Sequence, residues 1–163
     1  MTTVVDLSHA YPGWLDLLAE SGLRAVAAPM YRSATWFTTT GQETEYDWAP
    51  DLGEAAFAEA IAVMEVAEQH PSGRLSAMVS PAQVDTCTPD LLVRSADLAR
   101  RTGRPLHTHA AQSVAEFAAM TRRHDMTPVA FLHRLGFLGP TTILGHAVFT
   151  DAHPWMLWPT RED

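Results

Sequence analysis

Residues 88–110, TPDLLVRSADLARRTGRPLHTHA, decide the fold. Thr88 is a favoured helix-capping residue and Pro89 suits the first helical position, so a helix is predicted to begin here. Gly103 is typical of a helix end, and the segment 106–110 that follows is predicted to be a strand. A helix joined to a strand by so short a turn indicates an α/β protein with a parallel sheet.

The rest of the chain repeats this alternation of short apolar segments and longer amphipathic stretches. Strands are predicted at 3–7, 24–30, 75–79, 106–110 and 141–146, and helices around 14–18 and 57–64, over 89–102, and after Ser113 and Thr127. Residues 31–50 are predicted to be a polar loop. A complete (β/α)8 barrel uses ~250 residues, ~31 in each unit, so 163 residues correspond to about five units. The sequence therefore predicts a single α/β domain, 1–163, that forms a partial (β/α)8 barrel.

Charge and cysteine content exclude several classes of partner and location. The chain has 11 Lys and Arg against 19 Asp and Glu, a formal net charge of −8, so neither a nucleic-acid nor a membrane partner is expected. Its one cysteine, Cys87, allows no intrachain disulfide, which fits a reducing cytoplasm. No signal-peptide pattern is found, and no apolar run approaches the ~18 residues of a membrane span. We therefore expect a cytoplasmic protein.

Three histidines fall on the predicted fourth and fifth strands. His107 and His109 lie within 106–110, and His146 ends the segment 141–146. Consecutive parallel strands usually lie side by side, and the carboxyl ends of barrel strands face the active site. His109 and His146 are therefore candidates to bind one metal ion, although ordinary histidines without a site are an equally good interpretation. His107 is expected one layer deeper, packed against Thr or a carbonyl.

Other candidate residues have weaker support. His9, after the first strand, either lines a substrate pocket or, as the commoner case, is a loop residue in solvent. Cys87 has no identifiable partner base, so a buried structural thiol is favoured over a nucleophile. Asp151 and His153 suit turn chemistry better than a metal site. Five aromatic residues outside helical spacing suit either a lid over a flat heterocycle or loop packing: Trp36, Tyr46, Trp48, Trp155 and Trp158.

Four segments resemble the amidohydrolase superfamily: 104–112 (RPLHTHAAQ), 128–129 (PV), 135–138 (LGFL) and 143–146 (ILGH). The resemblance covers most of residues 3–150 and is greatest to the branch that contains cytosine, guanine and S-adenosylhomocysteine deaminases and triazine chlorohydrolases. It implies metal-dependent hydrolysis of an amine, amide or halide from a heterocyclic carbon. It also implies one divalent metal ion, zinc or alternatively iron.

The resemblance implies roles for individual residues. The family's H-x-H-x-x-E run supplies a metal ligand from its second histidine, which matches His109, and the histidine that ends the sixth strand, matching His146, contacts metal or substrate. The family's glutamate, a proton shuttle in deaminases, falls on Gln112. An amide orients water or substrate but does not take up and return a proton near neutral pH. Gln112 therefore counts against deamination more than against family membership.

The family's metal site also uses an H-x-H on the first strand and an Asp on the eighth, and neither is present in this chain. The chain thus resembles strands two to six, and His109 and His146 fall short of the three protein ligands of a catalytic zinc. Two interpretations follow: a truncated hydrolase of a small heterocyclic substrate, or a catalytically inactive fragment or subunit that a partner chain completes. Unpaired edge strands also predict self-association into homo-oligomers.

Overall fold

The computed structural model describes residues 2–41 and 43–150, in which strands and helices alternate. The strands are β1 (Thr3–Ser8), β2 (Arg24–Tyr31), β3 (Ala34–Phe37), β4 (Glu45–Trp48), β5 (Leu75–Ala77), β6 (Ser80–Pro81), β7 (Leu106–Ala110) and β8 (Thr142–His146). The helices are α1 (Trp14–Glu20), α2 (Pro50–Glu68), α3 (Pro89–Thr102), α4 (Val114–His124) and α5 (Pro128–Arg134).

Six of the eight strands pair in parallel, and their neighbours follow chain order. β2 lies between β1 and β5, β6 also pairs with β2, and β7 pairs with β8. Isolated parallel bridges from Val79 to Leu106 and from Gln83 to His109 link the segment after β5 to β7. The α/β class with parallel strands, predicted from the sequence, is confirmed.

The predicted strand 75–79 is interrupted, because β5 ends at Ala77 and the two-residue strand β6 begins only at Ser80. The backbone changes partner between them, because the Met78 N–H donates to the Ala27 carbonyl whereas the Val79 N–H donates to the Pro105 carbonyl. Residues at this change of partner satisfy their backbone groups without continuing one regular ladder.

The prediction of a loop over residues 31–50 is wrong, because β3 and β4 form an antiparallel hairpin there. Trp36 is opposite Tyr46 in its register. The base of the hairpin is fixed by Ser33, whose N–H donates to the Thr86 carbonyl at 2.9 Å and whose carbonyl accepts from the Ala49 N–H at 2.8 Å. Each of these strands has four residues and pairs with the other strand of the hairpin. Their sequences therefore lack the hydrophobic pattern by which a strand packed in the main sheet is predicted.

Side-chain hydroxyls begin three of the helices as the sequence predicts. The hydroxyls of Thr88, Ser113 and Thr127 accept the backbone N–H groups of Leu91, Glu116 and Ala130 at 3.2, 3.1 and 3.3 Å, respectively. Gly103 ends α3 in the left-handed conformation, with φ of 70°.

The core has two parts, a larger one between the sheet and α2, α3 and α5, and a smaller one beneath α1. Cys87 lies in the larger part, where its thiol contacts the Tyr31 carbonyl at 3.7 Å and burial raises the pKa of the thiol. The preference for a structural thiol is therefore supported. None of the helices in the described part of the chain combines the length and apolarity needed to cross a membrane.

The outer strands β1 and β8 carry half-exposed apolar side chains, including Val5 and Ile143, each 49% exposed. Unpaired strand edges of this kind invite pairing between chains, so we expect the protein to self-associate with rising concentration. Ile143→Lys should shift the population toward monomer in multi-angle light scattering, whereas Leu52→Lys, on exposed α2, should leave association unchanged. A wild-type chain that stays monomeric at high concentration would contradict this prediction.

Candidate active site

Two histidines meet at the carboxyl ends of β7 and β8. In the register of this strand pair His109 is opposite Gly145, and Ala110 is opposite His146. The ring centroids of His109 and His146 are 5.2 Å apart, and those of His107 and His109 are 4.6 Å apart. The strand pairing thus brings the two predicted metal ligands together at one edge of the sheet.

Gly145 makes this approach of the imidazoles possible. A Cβ atom at this position would lie 2.7 Å from Cδ2 of His109 and 3.0 Å from Nε2 of His107. Both distances are shorter than ordinary van der Waals contact. Both imidazole rings therefore occupy space that a side chain at residue 145 would need.

The ring of His109 is oriented by the backbone. Its Nδ1 lies 2.7 Å from the Ala82 carbonyl oxygen, which only accepts hydrogen bonds, so Nδ1 carries the hydrogen. In the neutral tautomer that this contact selects, Nε2 is the nitrogen with a free lone pair. A histidine that ligates a metal is usually held in this way by a carbonyl or carboxylate on its other nitrogen, so His109 fits a metal ion.

His107 lies deeper, as predicted, and is only 3% exposed. Its Nδ1 is 3.1 Å from the Ser80 hydroxyl, so its partner is a serine rather than Thr or a carbonyl. Burial, together with His109 and His146 nearby, lowers the pKa of His107 to about 4. The ring is therefore neutral near pH 7.

The backbone at this edge is unusual. Ala111, His146 and Ala147 have φ of 55°, 65° and 50°, in the left-handed region that residues other than glycine seldom adopt. The strands hold these residues in place, since the Ala147 N–H donates to the Ala110 carbonyl and the Val148 N–H to the Ala111 carbonyl, both at 3.0 Å. Such strained residues cluster at functional sites.

A cleft of about 290 Å³ opens beside His146 and Gln112. Its lining residues come from the hairpin, from the segment after β6, and from the start of α4: Trp36, Thr44, Gln83, Asp85, Gln112, Ser113, Ala115, Glu116 and His146. A smaller adjoining pocket of about 190 Å³ reaches His109. The cleft is thus lined by both His146 and the hairpin, and its volume is at the lower end of the ~300–1,000 Å³ typical of small-ligand pockets.

Glu116 lies at the wall of this cleft and is 2% exposed. Its two carboxylate oxygens accept the backbone N–H groups of Ala111 and Gln112 at 2.7 and 2.9 Å. Ser113 and Glu116 have the spacing of a capping box, but this carboxylate does not return to the N–H of Ser113. The carboxylate instead accepts hydrogen bonds from the strained turn before α4, because the N–H groups of Ala111 and Gln112 have no partner in a strand.

Burial outweighs these hydrogen bonds in setting the charge of Glu116. Desolvation, with a smaller contribution from Asp85, raises the pKa of the Glu116 carboxyl to about 7, although the N–H groups of Gln112 and Ala111 act in the opposite direction. The carboxyl group therefore changes its charge near neutral pH.

Asp85 is a second buried carboxyl group at the cleft, 3% exposed. Its Oδ2 accepts the hydroxyl of Tyr46 at 2.7 Å, whereas its Oδ1 has no hydrogen-bond partner among the described residues. Burial raises the pKa of the Asp85 carboxyl. The guanidinium of Arg123 donates to the Asp85 backbone carbonyl at 2.9 Å and lies 4.4 Å from the centre of the Tyr46 ring.

The other sequence candidates lie farther out or outside the described residues. His9 is exposed, its Nδ1 is 3.0 Å from the Met30 carbonyl, and it lines a neighbouring pocket with Ser33 and Leu52 rather than the cleft at His146. Trp36 lines the cleft, and Tyr46 and Trp48 stack with centroids 6.1 Å apart beneath Arg123. Asp151, His153, Trp155 and Trp158 lie outside the described residues.

Metal-ligating side chains of the described residues do not form a complete set. Within residues 2–41 and 43–150, no group of three or more His, Cys, Asp or Glu converges in a geometry that could hold a metal ion. The chemistry of His109 and His146 fits two nitrogen ligands, one with its tautomer fixed. The described residues thus fit part of a metal site.

Sequence reasoning missed Asp85 and Glu116 as residues of the cleft. Glu116 is four residues after Gln112, and that spacing brings side chains together on a helix, but here the first residue lies in the preceding turn. Asp85 is the one charged residue in the sequence between Leu75 and Cys87. A charged residue within a segment predicted to lie in the core is the one sequence signal that points to Asp85.

Comparison with known proteins gives a family match over nearly the whole chain and curated relatives over part of it. Residues 1–162 match the profile of the amidohydrolase family. A 5′-deoxyadenosine deaminase of Methanosarcina acetivorans is 30% identical over 102 residues, 63% of this chain and 24% of that protein. A 5-methylthioadenosine/S-adenosylhomocysteine deaminase of Nitratidesulfovibrio vulgaris is 40% identical over 75 residues, 46% of this chain and 17% of that protein. The match thus spans a quarter or less of these relatives.

Solved structures share the fold at low sequence identity. A guanine deaminase from C. acetobutylicum with bound guanine superposes with a TM-score of 0.75 at 14% identity, over 93% of this chain and 36% of that one. An atrazine chlorohydrolase from Arthrobacter aurescens TC1 complexed with zinc gives a TM-score of 0.68 at 22% identity, over 93% and 35%. At these identities the likeness concerns the fold alone.

Proposed function

Because the chain belongs to the amidohydrolase family, we propose that it forms part of a metal-dependent hydrolase that acts on a carbon–nitrogen bond of a small heterocyclic substrate. The observation that carries this proposal is the pair His109 and His146, 5.2 Å apart, with Nδ1 of His109 held by a backbone carbonyl. The names of the matched deaminases support the heterocyclic substrate.

His109 and His146 would hold the metal ion, for which zinc is the first candidate and iron the second. A bound metal of this kind lowers the pKa of its water toward ~7 and so supplies a nucleophile. His109 offers Nε2, because Nδ1 is engaged with Ala82. His107, neutral and buried behind it, excludes water from the inner side of the site.

Gln112 would orient the substrate or a water molecule from the wall of the cleft. Its amide both donates and accepts hydrogen bonds but does not carry a proton between groups. Trp36, which also lines the cleft, would offer an aromatic face to a flat ring. His9 would contact only a substrate long enough to leave the cleft and reach the neighbouring pocket.

The arrangement of the parallel strands supports a partial (β/α)8 barrel of about five units within one domain, as the sequence predicts. We place the protein in the cytoplasm, because its one cysteine is a buried thiol. Neither nucleic acid nor membrane is proposed as a partner, since the net charge is −8.

A second candidate function is a subunit without activity of its own that another polypeptide segment completes. It is favoured by the incomplete set of metal ligands among the described residues. A catalytic zinc takes three protein ligands in addition to water. The two candidates share one prediction, weak metal binding by this chain alone.

We expect the isolated chain to bind zinc weakly and to release no detectable ammonia or chloride from 5′-deoxyadenosine, guanine or atrazine. His109→Ala should weaken zinc binding at least about 100-fold, because loss of a ligand exceeds the effect of losing a supporting contact. Competition with a chromogenic chelator measures the affinity. His133→Ala, an exposed histidine on α5, is the control and should change nothing.

Stoichiometric zinc that survives dialysis against a weak chelator would show that further residues of this chain complete the site. Equal zinc affinities of His109→Ala and His133→Ala would remove His109 from the metal site, and the proposed function with it. Hydrolysis by the isolated chain would exclude the inactive-subunit candidate.

A further inference from the structure

We propose that Asp85 is a specificity-determining residue that accepts a hydrogen bond from an amino group on the heterocyclic substrate. This inference rests on the proposed function and adds the group by which the substrate is recognised. It starts from one atom, Oδ1 of Asp85, which is buried and has no hydrogen-bond partner among the described residues.

An unpaired carboxylate oxygen in a protein interior is costly and needs a reason. Asp85 is 3% exposed, and its other oxygen, Oδ2, is already engaged by the Tyr46 hydroxyl at 2.7 Å. Leaving a buried acceptor without a donor destabilises the protein relative to a paired acceptor, and more so for a charged group. A donor supplied by a ligand in the cleft would remove that cost.

The surroundings of Asp85 favour a donor over an acceptor. Glu116, the second buried carboxyl group of the cleft, also lines it and uses both oxygens to accept backbone N–H groups, so it offers Asp85 no donor. Arg123, the nearest cation, donates to the Asp85 backbone carbonyl and not to its carboxylate. No ion pair to the Asp85 carboxylate is found in the described part of the chain.

The other walls specify what carries the donor. Trp36 is half-exposed and offers an aromatic ring to the cleft, which Thr44 also lines. Gln112 offers an amide that pairs with ring nitrogens as donor or acceptor. A flat ring with an exocyclic amino group, such as an aminopurine or an aminotriazine, satisfies all three walls together.

Matched ligands test the inference without any metal or turnover. Adenosine and purine riboside differ only in the exocyclic amino group, and calorimetric titration of the 163-residue chain compares their affinities. We expect adenosine to bind at least about tenfold more tightly, as suits a hydrogen bond to a charged acceptor. Asp85→Asn should remove that preference, and Asp90→Asn, an exposed carboxylate on α3, should retain it.

Carboxyl ¹³C chemical shifts of the wild-type chain provide a second measurement that does not require Asp85→Asn to fold. The Asp85 signal should move on addition of adenosine but not of purine riboside. Equal binding of the two ligands, binding of neither, or an unmoved Asp85 signal would overturn the inference. Because no zinc is added, loss of hydrolysis in a completed enzyme would count against the proposed function and not against Asp85.

Discussion

Gly145→Ala is expected to weaken zinc binding by about tenfold to 100-fold, the range found when a contact that orients a metal ligand is lost. The new Cβ atom would lie 2.7 Å from Cδ2 of His109 and 3.0 Å from Nε2 of His107. The His109 ring must then rotate away from Ala82, or the β7–β8 pair must separate. Overpacking of this kind also lowers the free energy of unfolding by about 1–3 kcal/mol.

Gly139→Ala is the matched control, because a Cβ atom there meets only the Thr142 hydroxyl, at the ordinary distance of 3.8 Å. Zinc-dependent shifts of the histidine ring ¹⁵N signals detect even weak binding, and thermal unfolding measures stability. If the two alanine variants respond to zinc alike, the close packing at Gly145 does not position the ligands.

Glu116→Gln is expected to change how stability depends on pH. The pKa of Glu116 rises from its ordinary value of 4.5 to about 7 on folding, so between these values the folded protein binds more protons than the unfolded chain. The contribution of Glu116 to stability is fully present below pH 4.5 and is lost as pH rises to 7. A shift of this size corresponds to about 3 kcal/mol.

The difference in unfolding free energy between wild type and Glu116→Gln should therefore decrease by about 3 kcal/mol from pH 4.5 to 7. The comparison between wild type and variant is needed because His107 also titrates on unfolding. Its pKa is lowered to about 4, so it makes the stability of both proteins rise with pH over nearly the same pH interval. Urea unfolding at a series of pH values measures it. Glu59→Gln, exposed on α2, should show a constant difference, and a constant difference for Glu116→Gln would refute the assignment.

The sequence predicts well those elements whose signals are local. Strand 106–110 and helix 89–102 are found with the predicted bounds, because Thr88, Pro89 and Gly103 each act on the backbone within a few residues of themselves. The predicted strand 75–79 is divided, because Met78 and Val79 bond to different strands. Which strand a backbone group bonds to depends on residues far away in the chain.

The same contrast between local and long-range signals applies to the candidate site. His109 and His146 meet because parallel strands align their carboxyl ends, which chain order alone predicts. Glu116 is held at the cleft by the strained turn at Ala111, and Asp85 is held there by the hydroxyl of Tyr46. The Tyr46 contact joins residues 39 positions apart, and no pattern in the sequence marks it.

The β3–β4 hairpin contributes to the wall of the cleft but is not part of the parallel sheet. Ser33 fastens its base to Thr86 and Ala49, while its two strands bond to each other and leave the parallel ladder uninterrupted. Trp36 and Thr44 are nevertheless part of the cleft wall. Substitutions of Trp36 or Thr44 are therefore expected to change the shape of the cleft while the pairing of the parallel strands stays as it is.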